Sequence, residues 1–314
     1  MDKKPLIILT GPTAVGKTSL SISLAKRVNG EIISADSMQV YKGMDIGTAK
    51  IKPDQMEGVA HYLIDELEPD EEFNVYKFKQ LSEHYMEQIY AKGKIPIIVG
   101  GTGFYIQAVL YDIDFTENDS GTSYRDYLQK LLEEHGKEYL YDMLRRLDPE
   151  SAVSIHPNNS KRVIRALEFI KQTGEKISEH NKQQRSKSSP YNFCYFVLNK
   201  DRAALYDSIN KRVDQMMEEG LLEEVMALKA AGYGADLVSM QGLGYKELLA
   251  YLDGECSLEE AIYILKRDTR HFAKRQLTWF KREKDVIWVN KDDFSTEEDI
   301  LSYMIDILKS RSII

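Results

Sequence analysis

Leu6-Ile7-Ile8-Leu9-Thr10-Gly11-Pro12-Thr13-Ala14-Val15-Gly16-Lys17-Thr18 decides the fold. An apolar run of strand length meets Gly-x-x-x-x-Gly-Lys-Thr. A helical pattern follows at once, with Leu20, Leu24, Ala25 and Val28 on one face. Gly11 and Gly16 let the backbone turn around Pro12 so that the N–H groups of Thr13-Ala14-Val15 and their neighbours can surround an anion, helped by the positive end of the new helix. Lys17 adds a full charge, and the Thr18 hydroxyl can take a magnesium ion. The motif implies a phosphate or diphosphate ligand. It does not say what happens to that group.

Outward from the loop, strands alternate with helices. Residues 31–36 form an expected second strand ending in Asp36, and 61–67 an expected third. The stretch 37–52 reads as a polar loop with some helix. Val75, Phe78, Leu81, Tyr85, Met86 and Ile89 recur at helical spacing, so 75–92 is an amphipathic helix, and Gly93 stops it. Ile95 to Val99 is a buried strand, followed by Gly100-Gly101-Thr102-Gly103 and a helical pattern to Leu110. The order predicts an α/β fold, a P-loop NTPase-like parallel sheet flanked by helices. Ligands of such sheets sit at the carboxyl ends of the strands, where the glycine loop, Asp36 and Thr102 all emerge.

The character changes near residue 112. An acidic stretch to Ser123 leads into a charged helix, Tyr124 to about Arg146, broken at Asp148-Pro149. A further helix spans about 160–172, and 174–190 is polar and basic without apolar periodicity. Phe193 to Leu198 is a strand again. Residues 115–190 therefore read as a mostly helical insertion in a core of 1–114 and 191–314. Helices are expected at about 201–219, 221–231, 244–252 and 257–282, then a strand at 286–289 and a closing helix.

The 314 residues are 43% hydrophobic and 29% charged, which is globular. No apolar run approaches a membrane span, and Met1-Asp2-Lys3-Lys4 opens no signal-peptide core. Cys194 and Cys256 make neither a metal spacing nor a disulfide framework, so a cytoplasmic setting is expected. The net charge of −8 argues on average against a nucleic-acid partner, but local patches decide binding. Basic residues gather at Lys161, Arg162 and Arg165, at Lys182, Arg185 and Lys187, and along 266–284, where Phe272, Trp279 and Phe280 interleave. A phosphate backbone needs such surface, although a charge run on a helix is also how a solvated face looks.

Four further residues can carry chemistry. Asp36 can orient magnesium through water or take a proton from a nucleophile, or simply cap a turn with Ser37. Thr102 offers a hydroxyl in a turn that allows close backbone approach, or that serves strand–helix packing. Arg202 and Arg212 flank an expected helix, and either could close bidentately on a diphosphate.

Taken together, Gly11 to Thr18, Ser34 to Lys50 and Val99 to Gly103 resemble the bacterial tRNA dimethylallyltransferase family, the IPP transferases. The similarity continues through Asp148-Pro149, His156-Pro157-Asn158, Arg162 to Glu168, Gly242 to Glu247 and Ala273 to Trp279, in order along essentially the whole chain. The resemblance implies transfer of a dimethylallyl group from dimethylallyl diphosphate to N6 of the adenosine 3′-adjacent to the anticodon, in tRNAs reading UNN codons. It implies that loop 11–18 holds a prenyl diphosphate and that Thr18 ligates Mg2+. Lys17, Asp36, Thr102 and Arg212 become catalytic candidates, with Asp36 as base. Asp36, Ser37, Met38 and Gln39 become the adenine site. Thr102, Arg125, Lys161, Arg162, Arg165, Gln241 and Lys246 become contacts of the tRNA anticodon stem-loop. A monomer is implied. The rival readings are an ATP-dependent small-molecule kinase, a prenyltransferase acting on free AMP, and a non-catalytic RNA-binding protein.

Overall fold

The computed structural model describes residues 3–115 and 122–314, without the side chains of Thr122 and Arg185. The expectations placed on 116–121 and on Arg185 lie outside the described residues. The chain divides into two compact units, Met1–Leu110 with Pro190–Ile314, and Tyr111–Ser189.

In the first unit β1 (Pro5–Thr10) runs into the glycine loop and α1 (Lys17–Val28). Then come β2 (Gly30–Ala35), β3 (His61–Tyr62), α2 (Val75–Ala91), β4 (Ile95–Gly100) and α3 (Gly103–Leu110). The six strands form one parallel sheet in the order β3-β2-β4-β1-β5-β6, counting two strands placed below. Parallel strands covered on both faces must be apolar throughout, and Leu6 to Leu9 are fully buried. Leu20 and Leu24 of α1 are equally buried against the sheet, each worth roughly 1.5–3 kcal/mol. The register sets Thr10 and Ala35 both opposite Gly100, and the Thr10 hydroxyl donates to the Gly100 carbonyl at 2.6 Å. The strand ends that carry Gly11, Asp36 and Gly101 are therefore level and adjacent.

The third strand is shorter than the expected 61–67. Leu63 and Asp65 adopt φ of 61° and 55°, which breaks the extended chain, and Glu66 accepts the Leu63 N–H. The 37–52 stretch contains turns and no helix. Its organiser is Lys50, whose buried ammonium meets Asp45, Asp65 and the Tyr41 carbonyl.

The second unit contains α4 (Thr122–His135), α5 (Lys137–Leu147), α6 (Pro149–Ser154), α7 (Ser160–Thr173) and α8 (Ile177–Ser186). The single helix expected over 124–146 is two, parted at Gly136. Pro149 does not only break a helix: it opens α6 at a position where its missing N–H costs nothing, with Asp148 as the cap. Leu128, Leu140, Leu144, Val163 and Leu167 are the unit's core. The helix α8 has no apolar stripe to read. It is held by the buried Asp148 carboxylate, which accepts from the backbone and hydroxyl of both Ser151 and Ser178 at 2.6–3.1 Å. Burial would push that carboxyl up, but the four donors hold it below its ordinary range.

Returning to the first unit, β5 (Asn192–Asn199) leads to α9 (Arg202–Glu218), α10 (Leu221–Ala230), α11 (Tyr245–Leu252) and α12 (Leu258–Phe280). The strand β6 (Val286–Asn290) and α13 (Glu297–Ser310) close the chain. Among the described residues no helix is long and apolar enough to cross a membrane.

Candidate active site

After β1 the backbone has to reverse within a few residues, and the loop does so with Gly16 at φ 90° and Ala14 at φ 61°. Ala14 is a non-glycine residue held in the left-handed region, the kind of backbone cost that collects at functional sites. Lys17 curls back over the loop and donates to the carbonyls of Gly11 and Pro12, both at 3.0 Å. Burial first, then the nearby Arg212 guanidinium, lower the Lys17 pKa to about 8, against the opposing pull of Asp36. Arg212 projects from α9. Burial lowers its own pKa too, and Asp36 again opposes. Among the described residues its guanidinium has no hydrogen-bond partner. Two partly desolvated cations facing one another without a full complement of anions define a site for an anion.

Asp36 leaves the end of β2 and serves in two ways. One carboxylate oxygen accepts the Met38 N–H at 2.9 Å, so the capping chemistry is real. The other has no hydrogen-bond partner among the described residues, and the carboxylate lies close enough to Lys17 and Arg212 to act on both. Gln39 is spent on structure. It accepts from Ser34 at 3.0 Å and donates to the Thr48 carbonyl at 3.2 Å, which ties the 36–39 turn to the 45–50 loop. Met38 packs close to Gly242, in the turn after Gln241. Ser37 is half-buried beside Asp36.

A half-open cavity lies beside the loop. Lys17, Thr18, Asp36 and Gln39 form its polar side. Ile32, Ile51, Ile64 and Val99 form an apolar side. Among the described residues no group of three His, Cys, Asp or Glu could hold a metal ion, so a cation here would rely on the Thr18 hydroxyl and on oxygens of its ligand.

Thr102 follows the second glycine turn, its N–H donating to the Ala35 carbonyl at 3.2 Å. The structure gives that turn a packing task, while Gly100 also lines the cavity. A Cβ at Gly100 would overlap the Ala35 backbone, at Gly101 the Gln276 side chain, and at Gly103 the Trp279 indole. These glycines answer to protein packing.

The other candidates fall into separate places. Gln241 donates to the Ala235 carbonyl and so closes its own loop, while Lys246 lies 3.8 Å from Asp268. In the second unit Lys161 and Arg162 are exposed on α7 and Arg165 is half-buried there. Arg125 makes a two-pronged pair with the buried Glu168, at 2.8 and 3.1 Å, which gives it a structural task. The basic run on α12 is partly neutralised, as Lys266 reaches Asp214 at 2.5 Å and Arg267 reaches Asp268 at 2.8 Å, while Arg270 donates to the neutral Asn210. Arg202 lies over the Tyr206 ring at 5.1 Å.

Sequence reasoning missed three groups. Lys291, just past β6, brings its ammonium against Gly16. Lys200, just past β5, has its pKa lowered by burial and then by Lys291. Both follow the carboxyl ends of strands, and that position was the available signal. Glu224 of α10 accepts the N–H groups of Asp45, Ile46 and Gly47 at 2.7–3.2 Å and the Tyr245 hydroxyl at 2.7 Å. Nothing local in the sequence marks it.

The fold and these groups define a P-loop α/β enzyme in which a carboxylate faces the anion cradle across a part-apolar cavity. The IPP transferase family model matches residues 39–283. The chain belongs to that family. It is 65% identical, over 99% of both chains, to a tRNA dimethylallyltransferase of Lachnoclostridium phytofermentans. Among solved structures, a full-length tRNA isopentenylpyrophosphate transferase from Bacillus halodurans matches at TM-score 0.73 and 45% identity, covering 99% of this chain and 98% of that one. A eukaryotic dimethylallyltransferase solved acting on tRNA matches at TM-score 0.84 and 31% identity, covering 98% and 80%.

Proposed function

We propose that this enzyme transfers a dimethylallyl group from dimethylallyl diphosphate to N6 of the adenosine 3′-adjacent to the anticodon, in tRNAs reading UNN codons. The observation that carries the reading is the cavity in which Lys17, Thr18 and Asp36 meet an apolar wall. A diphosphate with a short branched hydrocarbon tail has that polarity. The loop 11–18 holds the diphosphate, with Lys17 and Arg212 on its charge. The tail lies against Ile32, Ile51, Ile64 and Val99. The Thr18 hydroxyl would help hold Mg2+, which would supply further charge neutralisation.

In the transfer, the bond from the prenyl C1 to the diphosphate oxygen breaks and its electron pair leaves with the diphosphate. The N6 nitrogen forms the new bond to C1. Asp36, through its unengaged oxygen, takes the proton that N6 sheds. Lys17, Arg212 and the loop amides stabilise charge as it develops on the leaving group. The target base has to leave its stack to reach this depth. Ser37, Met38 and Gln39 line its place, and Thr102 contacts the RNA. Lys161, Arg162 and Arg165, with Arg125, Gln241 and Lys246, supply contacts to the anticodon stem-loop, which acts in the cytoplasm.

Radiolabelled dimethylallyl diphosphate offered with tRNA, with AMP and alone tests this. Label on tRNA supports the reading. Label on AMP or on neither acceptor overturns it.

A further inference from the structure

Near its end the helix α12 packs against the loops that follow β1 and β4, and the side chain that meets both is neutral. Gln276 is buried, at 6% exposure. Its carbonyl oxygen accepts the Thr13 N–H at 2.9 Å, and its amide donates to the Gly101 carbonyl at 3.1 Å. Thr13 lies in the diphosphate loop after β1, and Gly101 immediately precedes Thr102 after β4. One carboxamide therefore fastens both loops across two adjacent strands. Trp279, one helical turn further on, fills the space that a Cβ at Gly103 would need.

We infer that Gln276 is a positioning residue: it holds the diphosphate loop and the Thr102 turn in register, and it touches no reacting atom. The inference rests on the function proposed above. A carboxamide suits this place, because one side chain has to accept from an N–H and donate to a carbonyl at once. A glutamate would lose the donor and set a carboxylate against the Gly101 carbonyl. The Thr13 N–H is committed to α12, so the neighbouring strained Ala14 is held from outside the loop. Freed of that bond, the loop would sample conformations in which its remaining N–H groups no longer converge. Displacements of an ångström near reacting groups cost on the order of a hundredfold in rate.

The test uses Gln276→Met, which keeps the volume and removes both hydrogen bonds. Inorganic pyrophosphate with magnesium probes the loop by calorimetry, and prenyl transfer to tRNA is measured per folded enzyme. The expected result is about tenfold weaker pyrophosphate binding and a kcat lowered about tenfold or more, beyond what any change in Tm explains. Gly101→Ala attacks the same contact from the opposite side with Gln276 intact, and it should give the same pair of losses. A folded Gln276→Met or Gly101→Ala that binds pyrophosphate and turns over within about twofold of wild type overturns the inference. Wild type that binds pyrophosphate yet prenylates no tRNA refutes the proposed function instead, and the binding arm still decides the role of Gln276.

Discussion

Raising the pH from 7 to 9 should loosen the hold on the prenyl diphosphate, and Lys17 sets the size of the effect. Burial first, then the Arg212 guanidinium, bring its pKa down to about 8, with Asp36 resisting. In the free protein the ammonium is then about nine-tenths protonated at pH 7 and about one-tenth at pH 9. A bound diphosphate supplies the missing anions and restores the lysine to its ordinary range. Affinity in this window follows the protonated fraction of the free protein, so Kd should rise about tenfold, or ~1.4 kcal/mol. The same linkage requires uptake of about half a proton per diphosphate bound at pH 8. Calorimetry with dimethylallyl diphosphate and no tRNA, in buffers of different ionisation enthalpy, reads both quantities without turnover. Lys17→Met removes the slope and shows the ligand's own titration. If that variant binds too weakly to titrate, the buffer dependence of the wild-type heat still counts the proton. Equal affinity at pH 7 and 9, with no proton uptake at pH 8, would refute the placement of Lys17 beside Arg212 in a desolvated site.

Asp36→Ala should lower kcat for tRNA prenylation by about a hundredfold or more while the Kd for tRNA changes by less than about threefold, and equal losses in both would remove its role as base. Glu224→Gln replaces one accepting oxygen with a donor facing N–H groups, so it should destabilise by about 2 kcal/mol, read as a lower urea midpoint at unchanged m. An unchanged midpoint would show that the nest does not need the charge. Burial pushes the Glu283 carboxyl up to about 7, with Arg282 pulling the other way. The folded state thus keeps a proton that the unfolded chain has released, and stability falls as pH rises from the ordinary carboxylate range to about 7, by at most ~3 kcal/mol before screening. Glu283→Gln should therefore raise Tm at pH 8 and leave it nearly unchanged at pH 4.5, as thermal unfolding at the two pH values will show.

The parts of this fold that were legible in the sequence are those that local chemistry dictates. The β1–loop–α1 unit announces itself because a phosphate cradle needs glycines, a lysine and a helix start in fixed order. Long helices such as α9 and α12 follow from apolar spacing, and their ends fall within a residue or two of expectation. The helix α8 was not legible. Its support is a carboxylate 30 residues earlier in the chain, and no periodic pattern records that dependence. The shortened β3 has a similar cause, since the turn at Leu63 and Asp65 is fixed by Glu66 and by the ion pairs of Lys50.

The site was legible residue by residue but not as an arrangement. Asp36 could be read as a cap or as a base, and the structure makes these readings compatible, one oxygen for each. The Gly100 to Gly103 turn could be read as a ligand approach or as packing, and there the structure gives the glycines a packing task while Gly100 also lines the cavity. Those glycines make room for Gln276 and Trp279, which lie about 175 residues away, so the turn and the end of α12 are two halves of one feature. The same helix also carries the basic run. The residues that face solvent on α12 can meet a polyanion, and the residue that faces inward fastens the diphosphate loop. A substitution on either face therefore reaches the same chemistry by a different route, and the two routes separate experimentally. Loss of an outward cation that contacts RNA should weaken binding most at low salt and lower the slope of log K against log salt by about one. Loss of Gln276 acts on the diphosphate at every salt concentration.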